Sequence, residues 1–209
     1  MDKKPLSDEI AEQQRRTVLL VLTGPSGAGK DTVIAELVRN NPQMGRVITT
    51  TTRQMREGES EGSPYHFISR EKFEQLIAED AFLEWVEFRG ELYGTQKQTF
   101  LDTMQSGNDV IWKIEMKGVK NMKEKIKKLA PRSVFIFLTG LTVPVLHDRV
   151  LKAEGVENID KRWNEPLVVW EMKQYRDCEY LVINEDEKLD KAIATVQAIM
   201  EAKRCELLE

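Results

Sequence analysis

The apolar run Val18-Leu19-Leu20-Val21-Leu22 leads through Thr23 into the turn Gly24-Pro25-Ser26-Gly27-Ala28-Gly29-Lys30. Five consecutive aliphatic residues ending at a glycine-rich loop read as a buried strand. Beyond the loop, Thr32 to Asn40 carries Val33, Ile34, Leu37 and Val38 at helical spacing and stops at Asn40, Asn41 and Pro42. Strand, glycine-rich loop and helix N-terminus in that order form a P-loop. The glycines let consecutive backbone N–H groups converge on phosphate oxygens, the helix end adds positive potential, and Lys30 reaches the β- and γ-phosphates. The motif predicts a nucleoside triphosphate site. Its last position departs from the usual pattern: Asp31, then Thr32, stands where Ser or Thr normally follows the lysine to hold magnesium.

A chain of 209 residues can hold one core with an inserted lobe, or two small lobes. Its formal charge of −4 argues against nonspecific nucleic-acid binding, which needs a basic face to displace counterions. Val18 to Leu22 is far too short to span a membrane, so neither nucleic acid nor membrane is an expected partner. Cys178 and Cys205 are too few and too widely spaced for a metal site or a disulfide framework, which favours a reducing, cytoplasmic setting. Residues 1–16 read as a polar N-terminal arm ahead of a domain over 17–209.

Along that domain, strands and helices alternate. Arg46 to Thr52 reads as one β-branched strand. From Arg53 to Tyr93 the chain turns polar and loop-rich, with short strands at Tyr65 to Ile68 and Phe82 to Phe88 around a helix from Arg70 to Ala78. This segment is the inserted lobe, over about residues 47–95. Then follow a helix at Gln96 to Gln105, a strand at Asp109 to Ile114, a lysine-rich helix at Val119 to Leu129 and a strand at Ser133 to Leu138. This βαβ alternation predicts an α/β fold with a parallel central sheet. Pro144 suits the first turn of a helix to about Leu151, and Lys152 to Asp160 reads as a charged, mobile segment. A helix from Lys161 to Arg176, bent or delayed by Pro166, a strand at Tyr180 to Asn184 and a helix at Leu189 to Ala202 complete the pattern. His66, His147 and the four tryptophans lie in apolar periodic contexts and read as packing residues.

A second cluster, Thr49-Thr50-Thr51-Thr52-Arg53-Gln54-Met55-Arg56, is followed by Gly58-Glu59, Gly62 and Tyr65. Two arginines three residues apart after a strand suit bidentate contact with one phosphate, and a phenol adds a further donor. Downstream, Glu84 within Phe82-Leu83-Glu84-Trp85 and the run Tyr93-Gly94-Thr95 supply a carboxylate, a phenol and a hydroxyl.

These residues, with Glu115-Met116-Lys117-Gly118, resemble the guanylate kinases from about Leu20 through Asn184. The resemblance implies a P-loop kinase that phosphorylates GMP or dGMP with ATP and Mg2+, as a monomer or homodimer. It implies that Gly24, Ser26, Gly27, Ala28, Gly29, Lys30, Asp31 and Thr32 hold ATP, with Asn184 near the adenine. By the same resemblance Arg53, Arg56, Tyr65 and Tyr93 bind the GMP phosphate, while Thr49, Glu84, Thr95 and Glu115 surround the guanine. Independently of it, a carboxylate such as Glu84 accepts from both N1–H and the N2 amine of guanine, a pair that adenine does not present. The hydroxyls of Thr49 and Thr95 can turn toward O6.

The chain departs from the family in two regions. The family has a hydroxyl at Asp31 and an aspartate at Lys113, so the P-loop has gained a carboxylate and the strand end facing it has lost one for an amine; either Asp31 is the metal-facing group, with Lys113 pairing with Asp31 or a phosphate, or the metal site is damaged. In the lid, over about 149–162, the family carries an arginine-rich segment, where this chain offers Arg149 and Arg162 as the catalytic cations beside Lys30, with Lys152 and Lys161 nearby. Fewer arginines on the transferring phosphate predict slower turnover unless Lys152 or Arg162 substitutes. Two other readings are a kinase of another small phosphate such as ribose 1,5-bisphosphate and a catalytically silent guanylate-kinase-like module. Glu84, Thr95 and Glu115 argue against the first, and the intact P-loop against the second.

Overall fold

The computed structural model describes residues 17–56, 58–154, 159 and 163–206. Its central sheet has five parallel strands in the order β2-β7-β1-β8-β9: β1 Leu19–Thr23, β2 Gly45–Val47, β7 Val110–Lys113, β8 Ser133–Thr139 and β9 Tyr180–Ile183. Side chains along a strand alternate between faces, so each apolar run feeds two cores. Leu20 and Leu22 of β1 join Val134, Ile136 and Leu138 of β8 on one face, against Ile34 and Leu37 of helix α1 (Lys30–Asn40) and Val196 of the last helix. Leu19, Val21, Trp112, Phe135 and Phe137 form the other face. That face is covered by Phe100 and Met104 of α3 (Lys97–Met104) and by Val119, Met122 and Ile126 of α4 (Met116–Leu129).

The stretch expected as one strand, Arg46 to Thr52, is two. After Val47 the chain leaves the central sheet, and β3 (Thr49–Thr51) joins a second sheet of order β4-β3-β6-β5, with β4 Tyr65–Phe67, β5 Phe82–Phe88 and β6 Glu91–Gln96. Hydroxyls hold the transfer in place: Thr51 Oγ1 donates to the Leu92 carbonyl at 2.9 Å, and Thr52 Oγ1 accepts from the Leu92 N–H at 2.9 Å. Strand β6 carries Tyr93-Gly94-Thr95, a run that its glycine made unreadable as a strand. Here Gly94 is required by packing, because a Cβ would lie 2.8 Å from the Phe82 ring and 3.0 Å from that of Phe73. Helix α2 (Arg70–Ala78) starts as expected, with Ser69 Oγ accepting from Lys72 N at 3.2 Å.

Helix α5 spans Val143–Glu154, so Lys152 to Glu154 are helical; the remainder of the segment expected to be mobile lies largely outside the described residues, as does the N-terminal arm. The helix expected from Lys161 runs as α6 over Glu165–Lys173. Asn164 caps it, its side chain accepting from Leu167 N at 3.1 Å, with Pro166 in the first turn, where a missing N–H costs nothing. A 3-10 turn at Tyr175–Asp177 follows, and α7 (Leu189–Cys205) closes the chain. Trp112 is buried, but Trp85 is 45% exposed. His66 pairs with Glu61 at 2.7 Å at the surface, whereas His147, half-buried, packs edge-on against the Trp163 ring.

The loop after β1 is forced into its path by close approach. Gly24 has φ 143°, and a Cβ there would sit 1.9 Å from the Leu138 carbonyl oxygen of β8. Backbone cannot yield to such an overlap. Gly24→Ala is therefore expected to destabilise the fold by at least about 2 kcal/mol in urea unfolding; an unchanged midpoint would contradict this account of the loop.

Candidate functional site

The loop from Gly24 to Gly29 ends where α1 begins, with Gly29 as N-cap at φ 84°. Lys30 folds back under it, its Nζ donating to the carbonyls of Gly24 at 2.6 Å and Pro25 at 3.0 Å. Burial lowers the Lys30 pKa, and the nearby carboxylates of Glu115 and Glu171 work against that fall. Asn184, at the end of β9, is buried and donates from Nδ2 to the Ala28 carbonyl at 3.0 Å. It braces the loop itself, a role that its place at the end of a strand did not disclose. Arg149 of α5 is braced as well: Nη2 donates to the Asn184 carbonyl and to Asp186 Oδ1, both at 2.7 Å.

These groups open on a cavity of about 1260 Å³. Ser26 to Thr32 and Arg149 line one part of it, and Arg53, Arg56, Tyr65 and Tyr93 from the second sheet line another. Glu59, Arg89, Lys113 and Glu115 add to the charged lining, as do Glu91 and the acidic run Glu185 to Glu187. Arg162 and Lys161 lie outside the described residues. Arg53 does not stand open to the cavity: its guanidinium makes a bidentate pair with Glu59 at 2.8 and 3.0 Å, and its charge lies 5.3 Å from the Tyr65 ring centre. Glu59 also accepts from the Arg56 N–H at 2.9 Å. The fork expected to meet a phosphate is thus held in shape by an internal carboxylate, which a phosphate would have to displace.

Glu84, Thr95 and Thr49 do not line this cavity. Thr95 is fully buried and Thr49 nearly so. Trp112 Nε1 donates to Thr95 Oγ1 at 2.9 Å, and Thr95 Oγ1 donates to Glu84 Oε1 at 2.8 Å. A hydroxyl has one hydrogen, so Thr95 does not turn toward a base, as its sequence position suggested; it fixes the carboxylate instead. The second oxygen of Glu84 lies over the first turn of α4, 3.0 Å from where a Cβ on Gly118 would stand. Burial, with Glu115 adding repulsion, raises Glu84 to about 7, against the lowering effect of the Thr95 bond.

The exchanged charges do meet. Lys113, at the end of β7, donates from Nζ to Asp31 Oδ1 at 2.7 Å, with Arg46 3.5 Å from the same oxygen. Burial opposes the Lys113 charge, but Tyr65 and Asp31 together outweigh it, and its pKa lies above the usual lysine value. Burial likewise opposes the Asp31 charge, and Lys113, with Lys30 and Arg46, holds its carboxyl below the usual range. Both groups therefore stay ionised through the neutral range.

Comparison with known proteins decides the family. The family model described as guanylate kinase matches residues 14–203. The chain belongs to the guanylate kinase family. It is 37% identical to the guanylate kinase of Caldanaerobacter subterraneus subsp. tengcongensis over 92% of this chain and 90% of that one. It is 38% identical to that of Desulfitobacterium hafniense, over 92% and 94%. The fold matches the crystal structure of guanylate kinase from Anaplasma phagocytophilum with a TM-score of 0.68 at 22% identity, covering 91% of this chain and 87% of that chain. The chain is thus a nucleoside monophosphate kinase of this family. Among the described residues, no helix is long and apolar enough to cross a membrane.

Glu171 of α6 escaped the reading of the sequence, where it is one acid within a helix. It is 2% exposed, and its Oε2 has no hydrogen-bond partner among the described residues. Burial and then Glu115 raise it to about 8, opposed by Lys30, Arg89 and Lys117. A carboxyl whose folded pKa is raised contributes its full stability below the unfolded value and loses it as pH rises toward the folded one. Glu171→Gln abolishes that loss, so its stability relative to the parent protein is expected to rise by about 1–3 kcal/mol between pH 5 and pH 8. Denaturant unfolding at both values checks this, and a pH-independent difference would place the Glu171 proton elsewhere.

Proposed function

We propose that the protein transfers the γ-phosphoryl group of ATP to GMP or dGMP, giving ADP and GDP or dGDP. The observation that carries this reading is that the P-loop and the Arg53–Tyr65–Tyr93 group face one cavity, so a donor and an acceptor phosphate share a space. An oxygen of the acceptor's phosphate attacks the γ-phosphorus as the bond to the ADP oxygen breaks, and no protein nucleophile is needed. Lys30 and the loop N–H groups hold the donor, with Arg149 and Arg162 as further cations on the transferring group. Arg53, Arg56, Tyr65 and Tyr93 hold the acceptor phosphate, and Glu84, fixed by Thr95, accepts from the guanine N1–H and N2 amine, with Thr49 and Glu115 beside the base. Asn184 acts at the adenine side by shaping the loop.

Mg2+ enters with ATP. Among the described residues no group of three His, Cys, Asp or Glu forms a metal cage. An ion that enters with ATP is coordinated mainly by phosphate oxygens and water. Asp31, 63% exposed and beside Thr32, fits such an ion through its water shell, with one carboxylate oxygen already held by Lys113. When bound, the ion neutralises charge on the phosphates.

A coupled assay of ADP release across nucleoside monophosphates and ribose 1,5-bisphosphate tests this assignment. GMP or dGMP should be used at least about a hundredfold more efficiently than AMP, since adenine leaves the buried carboxylate unpaired. Equal use of AMP and GMP sinks the assignment, and GMP binding without transfer favours a silent module.

The position of Glu84 gives an acid limb. Guanine needs the ionised carboxylate, and in the unliganded protein Glu84 titrates at about 7. Affinity for GMP should therefore fall as pH drops from 8 to 6, approaching tenfold per unit below the pKa. Glu84→Gln should bind more weakly at pH 8 and show only the shallower dependence due to the GMP phosphate, whose second pKa is about 6. Parallel pH profiles for the two proteins would remove Glu84 from the base site.

A further inference from the structure

The cavity contains a lysine for which the family resemblance provides no role. Lys113 ends β7 with a side chain only 11% exposed, and it lines the same cavity as the P-loop and the second-sheet arginines. Its Nζ lies 4.7 Å from the centre of the Tyr65 ring while bonded to Asp31 at 2.7 Å. Arg53 approaches the same ring at 5.3 Å while paired with Glu59. Two cations thus flank one phenol, and each is held by its own carboxylate. Tyr65 in turn packs edge-on against Tyr93 at 5.9 Å, so the phenols and the cations form one cluster.

We infer that Lys113 is a direct ligand of the acceptor's phosphate, acting with Arg53, Arg56 and Tyr65 and exchanging Asp31 for the phosphate when GMP enters. The inference rests on the GMP-kinase reading. A dianionic phosphate beside Tyr65 lies within reach of an ammonium that is mostly withdrawn from water, where its attraction is far less screened than at the surface. Asp31, by contrast, is 63% exposed, so water can take over its lost bond at little cost. The exchange therefore favours the phosphate, and it leaves the Asp31 carboxylate open toward the donor side of the cavity. An aspartate at position 113 would instead repel the acceptor, so this cation adds affinity that the family's usual residue cannot.

Calorimetric titration of the full chain with GMP and with guanosine, in EDTA and without ATP, tests the inference free of metal and turnover. Lys113→Met keeps the length and apolar stem and should weaken GMP binding roughly 10–100-fold, leaving guanosine affinity unchanged. Lys113→Arg should retain most of the GMP affinity, and thermal unfolding of each variant reports whether the fold persists. The inference is overturned if Lys113→Met binds GMP as tightly as the parent, or if a folded Lys113→Met loses GMP and guanosine equally. If Lys113→Met does not fold, the Lys113→Gln variant decides by the same comparison. A parent protein that binds AMP and GMP alike removes the functional reading itself, an outcome distinct from a GMP-selective parent whose Lys113 is dispensable.

Discussion

The ammonium of Lys30 is half-buried under its own loop, and a charge withdrawn from water is tolerated only where hydrogen bonds and counter-charges offset its desolvation. Much of the surrounding architecture serves that condition. The carbonyls of Gly24 and Pro25 turn inward to accept from Nζ, which requires the loop to run against β8 so closely that no side chain fits at Gly24. Asn184 holds the Ala28 carbonyl from the end of the edge strand β9, and Arg149 ties α5 to the same corner. Glu115 adds negative potential, whereas Glu171, raised to about 8, is largely neutral at pH 7 and contributes charge only as pH rises toward that value.

A second balance of charge lies where the central sheet meets the second one. The chain crosses between them after Val47, and the loop after β3, the start of β4 and the middle of β6 carry Arg53 and Arg56, Tyr65, and Tyr93 to the cavity edge. Two of the cations there have a local carboxylate: Arg53 has Glu59 and Lys113 has Asp31. Such pairing keeps the cluster ordered while leaving its cations exchangeable, because a phosphate offers a stronger and more highly charged acceptor than a carboxylate. The departure of Asp31 and Lys113 from the family's usual residues is therefore a paired change in space, although the two residues lie 82 positions apart in the chain.

The guanine-side group depends on the same geometry. Trp112 belongs to the buried face of β7, yet its indole N–H orients the Thr95 hydroxyl, and that hydroxyl orients Glu84. A core residue thus sets the direction of a recognition residue through one intervening side chain. The carboxylate also lies against the first turn of α4, where the absence of a side chain at Gly118 permits the approach and the helix end favours negative charge.

The sequence by itself determined the parallel sheet, the P-loop and most helices, because those features depend on periodicity and on local turn chemistry. Leu19 to Thr23 could only be buried, and Gly24 to Lys30 could only be a tight loop before a helix. It also supplied the residue types of both phosphate groups. It did not show that Arg46 to Thr52 divides between two sheets, since three-residue strands leave no period to read. Nor could it show that Thr95 serves Glu84, that Asn184 braces the loop, or that Glu171 is a neutral acid at pH 7. Hydrogen-bond direction, desolvation and charge pairing arise between residues far apart in the chain, so only the tertiary structure decided them.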